Sequence, residues 1–205
     1  MANTSAPFGL SDWQVGRGVA GTFEEIYAKV ASNNATAIGF GDPVKQLDTG
    51  YVSRWTAGTA VSQMVGVLVS CTYFSTSQQQ TVTRSYWPGS DATGDVTVRL
   101  VPCNLAAPGR FIVQTDSTGI TFADIGANAD LAMGTVNTTT GQSGAYLNTS
   151  TLAVTATLPL RIIGLVGVGG ENSPIGPFGT NGLAAGAYNL AIVAANVSGA
   201  GSTGI

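Results

Sequence analysis

The chain is patterned in twos. Val65, Val67, Val69, Cys71 and Tyr73 alternate with Gly66, Leu68, Ser70 and Thr72, the period of a strand that buries one face. Asp95–Val101 and Arg110–Thr115 are short, rich in β-branched residues and bounded by Gly, Pro or Asp, which marks both as strands. The pattern returns over Thr151–Leu158 and Arg161–Val168, on either side of Pro159, and over Tyr188–Val197. Turn dipeptides separate these runs: Pro88-Gly89, Thr93-Gly94, Pro108-Gly109, Thr118-Gly119 and Thr140-Gly141. One segment reads two ways. Thr22-Phe23-Glu24-Glu25 matches a helix capping box, with Phe23, Ile26, Tyr27 and Val30 on one helical face. Alternation of Phe23, Glu25, Tyr27 and Lys29 with Glu24, Ile26, Ala28 and Val30 fits a strand equally well. A lone short helix has little support of its own, so the setting among strands favours the strand.

The expected fold is all-β, a β-barrel or β-sandwich core over residues 21–170, flanked by an extended N-terminal arm (1–20) and a charge-poor C-terminal strand and arm (171–205). In the N-terminal arm Phe8, Leu10 and Trp13 stand between Pro7, Gly9, Gly16 and Gly18. Apolar groups on such a backbone form no core of their own. Pro7, Phe8, Leu10 and Trp13 are therefore expected to be protein-interface residues that dock into a neighbour. The alternatives are a disordered tail or an arm folded onto its own domain. On the docking reading, removal of residues 1–16 leaves the core folded. The tail Ala200–Ile205 reads as frayed, or as tied down in an assembly.

Charge sharpens the picture. Only 9% of the 205 residues are charged, against about 25% in an ordinary soluble domain. Of the 19 charged residues (8 basic, 11 acidic), all but Arg161 and Glu171 precede position 131. A third of the chain with almost no charge suggests surface that meets other protein; a β region solvated by Thr, Asn and Ser is the plainer alternative. The net charge of −3, with only Lys29 and Lys45 as lysines, offers no basic patch for nucleic acid. No apolar run suits a bilayer: Leu152–Gly170 is broken by Pro159 and Arg161, and Gly182–Gly201 carries Asn189 and Asn196. The start, MANTSAPFGL, lacks the basic and apolar regions of a secretion signal. Sequons at Asn3, Asn34, Asn137, Asn148 and Asn196 fit a chain rich in Asn, Ser and Thr by chance.

Candidate chemistry is sparse, and no catalytic, cofactor-binding or metal-binding residues are assigned. The chain has no histidine, which removes Ser-His-Asp and Cys-His arrangements and His-based zinc sites. Cys71 and Cys103 are too far apart for a Cys-X-X-Cys motif and read as two buried thiols, with one disulfide as the alternative. The acid pairs Asp91/Asp95 and Asp124/Asp130 sit where turns call for Asp, which outweighs glycosidase-type or calcium chemistry. The glycine run Gly164–Gly170 lacks a nucleotide-binding frame and suggests a strand with close packing or a bulge. Trp55 and the pair Tyr86-Trp87 are the aromatic groups on which a sugar-binding reading would rest.

Several stretches together resemble a family of tailed-bacteriophage virion structural proteins. The opening Met1-Ala-Asn with Ala6-Pro-Phe-Gly-Leu10 is similar to the family's start, although Ser11-Asp12-Trp13-Gln14 stands where the family commonly has a basic Arg-Pro segment. Ile38-Gly-Phe-Gly-Asp-Pro-Val44, Val65-Gly-Val67, Trp87-Pro88 and Arg110-Phe-Ile-Val-Gln-Thr-Asp116 follow in the family's order. The last shared stretches are Asp124-Ile-Gly-Ala-Asn-Ala-Asp-Leu131, Gly141-Gln-Ser-Gly-Ala-Tyr-Leu147 and Leu160-Arg-Ile-Ile-Gly-Leu165. The resemblance implies a capsid decoration or cement protein, not an enzyme. It would sit on the virion surface after assembly in the host cytoplasm, with the major capsid protein and its own copies, as a homotrimer, for partners. It implies no cofactor, no nucleic-acid partner and no membrane. The alternatives are a tail-associated or surface glycan-binding β module and, third, a small β-barrel enzyme.

Overall fold

The structure, a computed structural model, describes residues 3–13, 25–59, 63–103, 109–167, 170–171 and 186–196. The strands are β1 (Ser11–Asp12), β2 (Ile26–Val30), β3 (Pro43–Gln46), β4 (Val52–Arg54), β5 (Met64–Ser75), β6 (Gln80–Arg84), β7 (Val96–Pro102), β8 (Arg110–Gln114), β9 (Asn128–Ala132), β10 (Tyr146–Ala153), β11 (Leu160–Gly167), β12 (Gly170–Glu171) and β13 (Leu190–Ala195). They form two antiparallel sheets packed as a β-sandwich, and neither closes into a barrel. The smaller sheet runs β2-β7-β5-β3-β4, with β6 on β5 beyond the end of β3; the larger runs β1-β8-β13-β11-β9-β10, with β12 on β11.

The longest strand does not keep the single face that its alternation predicts. Val44 pairs with Gly66 but Lys45 with Met64, so Val65 is an extra residue. Leu68 pairs with Leu100 but Ser70 with Arg99, so Val69 is another. Each bulge turns the following side chains to the opposite face. As a result Met64 and Val67 enter one hydrophobic cluster, whereas Leu68, Cys71 and Tyr73 enter a second. The smaller sheet curls around the second cluster, with Val30, Val44, Val52, Trp87, Val96, Val98 and Leu100. Its edge strands β2 and β4 come within 8 Å, Cα to Cα.

The first cluster joins the two sheets. Phe111 and Val113 of β8, Leu131 of β9, Leu147 of β10, Leu160 and Ile162 of β11 and Val193 of β13 meet Trp55, Met64, Val67 and Cys103 from the smaller sheet and its extensions. The strand expected over 188–197 is β13. It lies inside the larger sheet, between β8 and β11, and not in an arm. Gly164 adjoins a bulge: Ile162 pairs with Val193 and Gly164 with Ile192, leaving Ile163 extra. The two-way segment is extended at Ile26–Val30; its Thr22-Phe23-Glu24 portion lies outside the described residues, as do 14–20 of the N-terminal arm, 172–185 and the tail 197–205.

Candidate functional site

The residues expected to dock on a neighbour lie against the chain's own sandwich. Leu10 is only 2% exposed and belongs to the inter-sheet core, which corrects the premise that this segment cannot bury its apolar groups locally. Its neighbours explain how. Ser11 and Asp12 pair with Ile112 and Phe111 of β8. The Leu10 N–H donates to Gly41 O at 2.8 Å, Gly9 N–H to Ala145 O at 3.0 Å and Trp13 N–H to Arg110 O at 2.7 Å. Gln114 holds the backbone further upstream, accepting from Ala6 N–H through Oε1 at 2.8 Å and donating to Thr4 O through Nε2 at 3.1 Å. The Gln142 Nε2 donates to Phe8 O at 2.7 Å. Pro7, Phe8 and Trp13 are half-buried.

Two glycines make this fit. Gly9 (φ +78°) and Gly41 (φ +86°) adopt the left-handed backbone. A Cβ on Gly9 would stand 2.3 Å from Gly41 O, and one on Gly41 would stand 2.6 Å from Phe8 O. Any side chain at either position collides with the opposing backbone.

Beneath this contact lies a buried ion pair. Asp42 has no exposed surface. It accepts from Gly39 N–H at 2.7 Å, from Arg54 Nε at 2.7 Å and Nη2 at 3.2 Å, and from the Ser143 hydroxyl. The Arg54 Nη2 also donates to Gly134 O at 2.6 Å, and Ser143 Oγ accepts from Ala145 N–H. Asp42 and Arg54 come from the smaller-sheet half of the chain; Gly134 and Ser143 come from the larger-sheet half. The network therefore ties the two sheets together, and its satisfied lone pairs make a buried charge tolerable there.

Asp116, Asp91, Asp124 and Asp130 are likewise committed to backbone geometry. Asp116 accepts from the Thr149 hydroxyl and N–H and from Thr118 and Gly119 N–H. Burial pushes its pKa up, yet these hydrogen bonds outweigh burial and hold it below the ordinary carboxylate value. Beside it, Asn189 links Thr115 and Ile120 through both ends of its amide. The Asp91 carboxylate is also held low, chiefly by the Ser75 hydroxyl, with Ser77 and Thr76 adding to it. Asp95 accepts from the Tyr51 hydroxyl at 3.1 Å. Asp124 closes the 3-10 turn Phe122–Asp124 by accepting from Thr121. Asp130 sits in mid-strand β9 and not in a turn, buried, and accepts from Gly58 and Leu131 N–H. Among the described residues no group of three His, Cys, Asp or Glu is placed to hold a metal ion.

Of the aromatic groups of the sugar-binding reading, the two tryptophans face inward and Tyr86 is half-buried. Trp87 is fully buried, packs edge-on against Tyr73 with ring centroids 5.0 Å apart, and donates from Nε1 to Asn34 O. Trp55 is 2% exposed in the inter-sheet core. Neither offers a ring face to a sugar, and Tyr86 is held by a hydrogen bond from its hydroxyl to Thr138 O. Cys71 and Cys103 are free thiols, both buried; burial pushes the Cys71 thiol up to about 12 and raises Cys103 as well.

The chain matches no family model, no curated protein and no solved structure. The sequence pointed to the N-terminal residues but missed their partners, Gln114, Gln142, Gly41 and Ala145. The Gly-Asp turn at 41–42 was the available signal, since a Gly beside an Asp in an apolar stretch marks a tight backbone approach.

Proposed function

We propose that the chain is a structural virion protein of a tailed phage, a cement or decoration subunit that binds the assembled head shell beside the major capsid protein. The supporting observation is the surface. Tyr27 (71% exposed), Phe122 (58%), Phe74 and Phe40 present aromatic area to the outside of a chain with few charges. Exposed aromatic groups on a charge-poor chain suit contact with other protein; Tyr27 itself stands opposite Arg99, which pairs with Glu25. The acidic groups described above are engaged in holding turns and strands, which suits a rigid subunit that grips without chemistry. A subunit that binds only the closed shell shifts the equilibrium toward that shell, and a three-fold site calls for a homotrimer.

The test is decoration of purified heads that lack the protein, followed by imaging of the particle. Attachment that survives roughly 1 M salt, where screening extends only about 3 Å, supports apolar and backbone contacts. Absence of the protein from the particle, or release at roughly 0.2 M salt, overturns the reading.

A further inference from the structure

We propose that residues 3–13 form an exchangeable strap: the cradle that holds them accepts the same segment of a second copy of this chain. The cradle is built from residues distant in sequence, namely Arg110–Gln114, Gly41, Gln142 and Ala145. No strap atom takes part in the Asp42–Arg54–Ser143 network that positions Gly41 and Ala145. The cradle thus has its own support, and the strap is a peptide laid into it.

What it recognises is specific. Gln114 reads both a carbonyl and an N–H of an extended backbone, at Thr4 and Ala6. The interlocked glycines admit only Gly at position 9 of the strap, the core takes up the Leu10 side chain, and Ser11–Asp12 add a strand to the β8 edge. The segment that meets all these conditions is the chain's own residues 3–13. A second copy is accordingly the occupant.

The strap is joined to β2 through residues 14–24, eleven residues that span at most roughly 40 Å, comparable with the diameter of a globule of this chain length. The closed monomer and the exchanged form make the same contacts, so concentration decides between them. A tethered segment competes at an effective concentration on the order of 1 mM. Dilute protein therefore stays closed, whereas copies held side by side exchange. The inference needs only a second copy and does not rest on the virion reading.

The pair Ser11 and Ile112 are direct cross-strand partners, and the native thiols are buried. Ser11→Cys and Ile112→Cys proteins are mixed under mild oxidation at about 10 µM and about 1 mM. Expected is a covalent heterodimer linked between positions 11 and 112, with a yield that rises with concentration. A Ser11→Cys/Ile112→Cys double variant that closes within one chain, while the mixture gives no heterodimer at either concentration, overturns the proposal. A second readout does not depend on disulfide geometry: a nitroxide on Ser11→Cys, mixed at about 1 mM with an isotope-labelled untagged copy. Broadening of the Phe111–Gln114 amides of the labelled copy is expected. Sharp signals there exclude exchange.

Discussion

The two hydrophobic clusters are built from different kinds of sequence. The cluster within the curled smaller sheet draws every fully buried member from between Val30 and Leu100, and that sheet consists of the consecutive strands β2 to β7. The inter-sheet cluster gathers residues from Leu10 to Ala195, and its sheet needs β1 from one end of the chain and β13 from the other. The first is assembled within one contiguous stretch of chain, closed by the pairing of its first strand, β2, with its last, β7. The second exists only when distant segments arrive together, and it includes a short segment that looked like a free arm.

The largest effect is expected where the two halves are tied. Asp42→Ala leaves the Arg54 guanidinium, whose side chain is 15% exposed, without its carboxylate, at a cost of about 3–5 kcal/mol. Urea unfolding followed by amide exchange should show both sheets losing protection together. Loss confined to one sheet would show that the ion pair does not couple them.

Leu10→Ala is next, at about 2–4 kcal/mol for emptying a buried leucine site. Denaturant titration should register it, with protection lost first in the larger sheet. An unchanged midpoint would return residues 1–13 to the status of a dispensable arm. For the same reason deletion of residues 1–16 is expected to lower stability, contrary to the expectation for a docking arm.

Cys71→Ser probes the smaller sheet alone. Placing a hydroxyl among Leu68, Tyr73 and Trp87 should cost about 1–3 kcal/mol. In the native protein Cys71 should resist thiol reagents at neutral pH, because burial raises its pKa to about 12. Rapid labelling would contradict the packing described.

The smallest effect carries a pH signature. Thr149→Val removes the hydroxyl donor that helps hold the Asp116 pKa down and leaves the backbone N–H donor in place. A carboxylate with a lowered folded pKa adds stability above its unfolded value of about 3.9 and loses it as pH falls through the folded value. The variant should therefore lose about 1 kcal/mol at neutral pH, and the difference from the native protein should shrink below about pH 4. A difference independent of pH would show that Asp116 is not the group responsible.

Strand positions were readable wherever alternation was long or β-branched residues clustered: β5, β7, β8, β11 and β13 lie within a few residues of their expected places. Thr151–Leu158 was placed late, since β10 is Tyr146–Ala153 and Thr155–Leu158 is largely turn. The short strands β3, β4, β6 and β9 carry too few residues for a period to show. The faces of β5 were unreadable for a different reason: Val65 and Val69 continue the alternation in sequence while standing outside the pairing in space. The strap was half legible. Its apolar residues were visible, but the cluster that takes Leu10 gathers residues from Trp55 to Ala195, and no local pattern announces it.

The central place of β13 also sets an order in time. The smaller sheet is complete once Pro102 has been made, but the larger sheet lacks an interior strand until Ala195 follows. At a synthesis rate of about 5–20 residues per second, that interval lasts roughly 5–19 s. Once β8 and then β11 have been made, their facing edges have no partner between them until β13 follows, and strands in that condition pair readily with other chains. A nascent copy of this protein is accordingly most prone to mispairing just before β13 emerges.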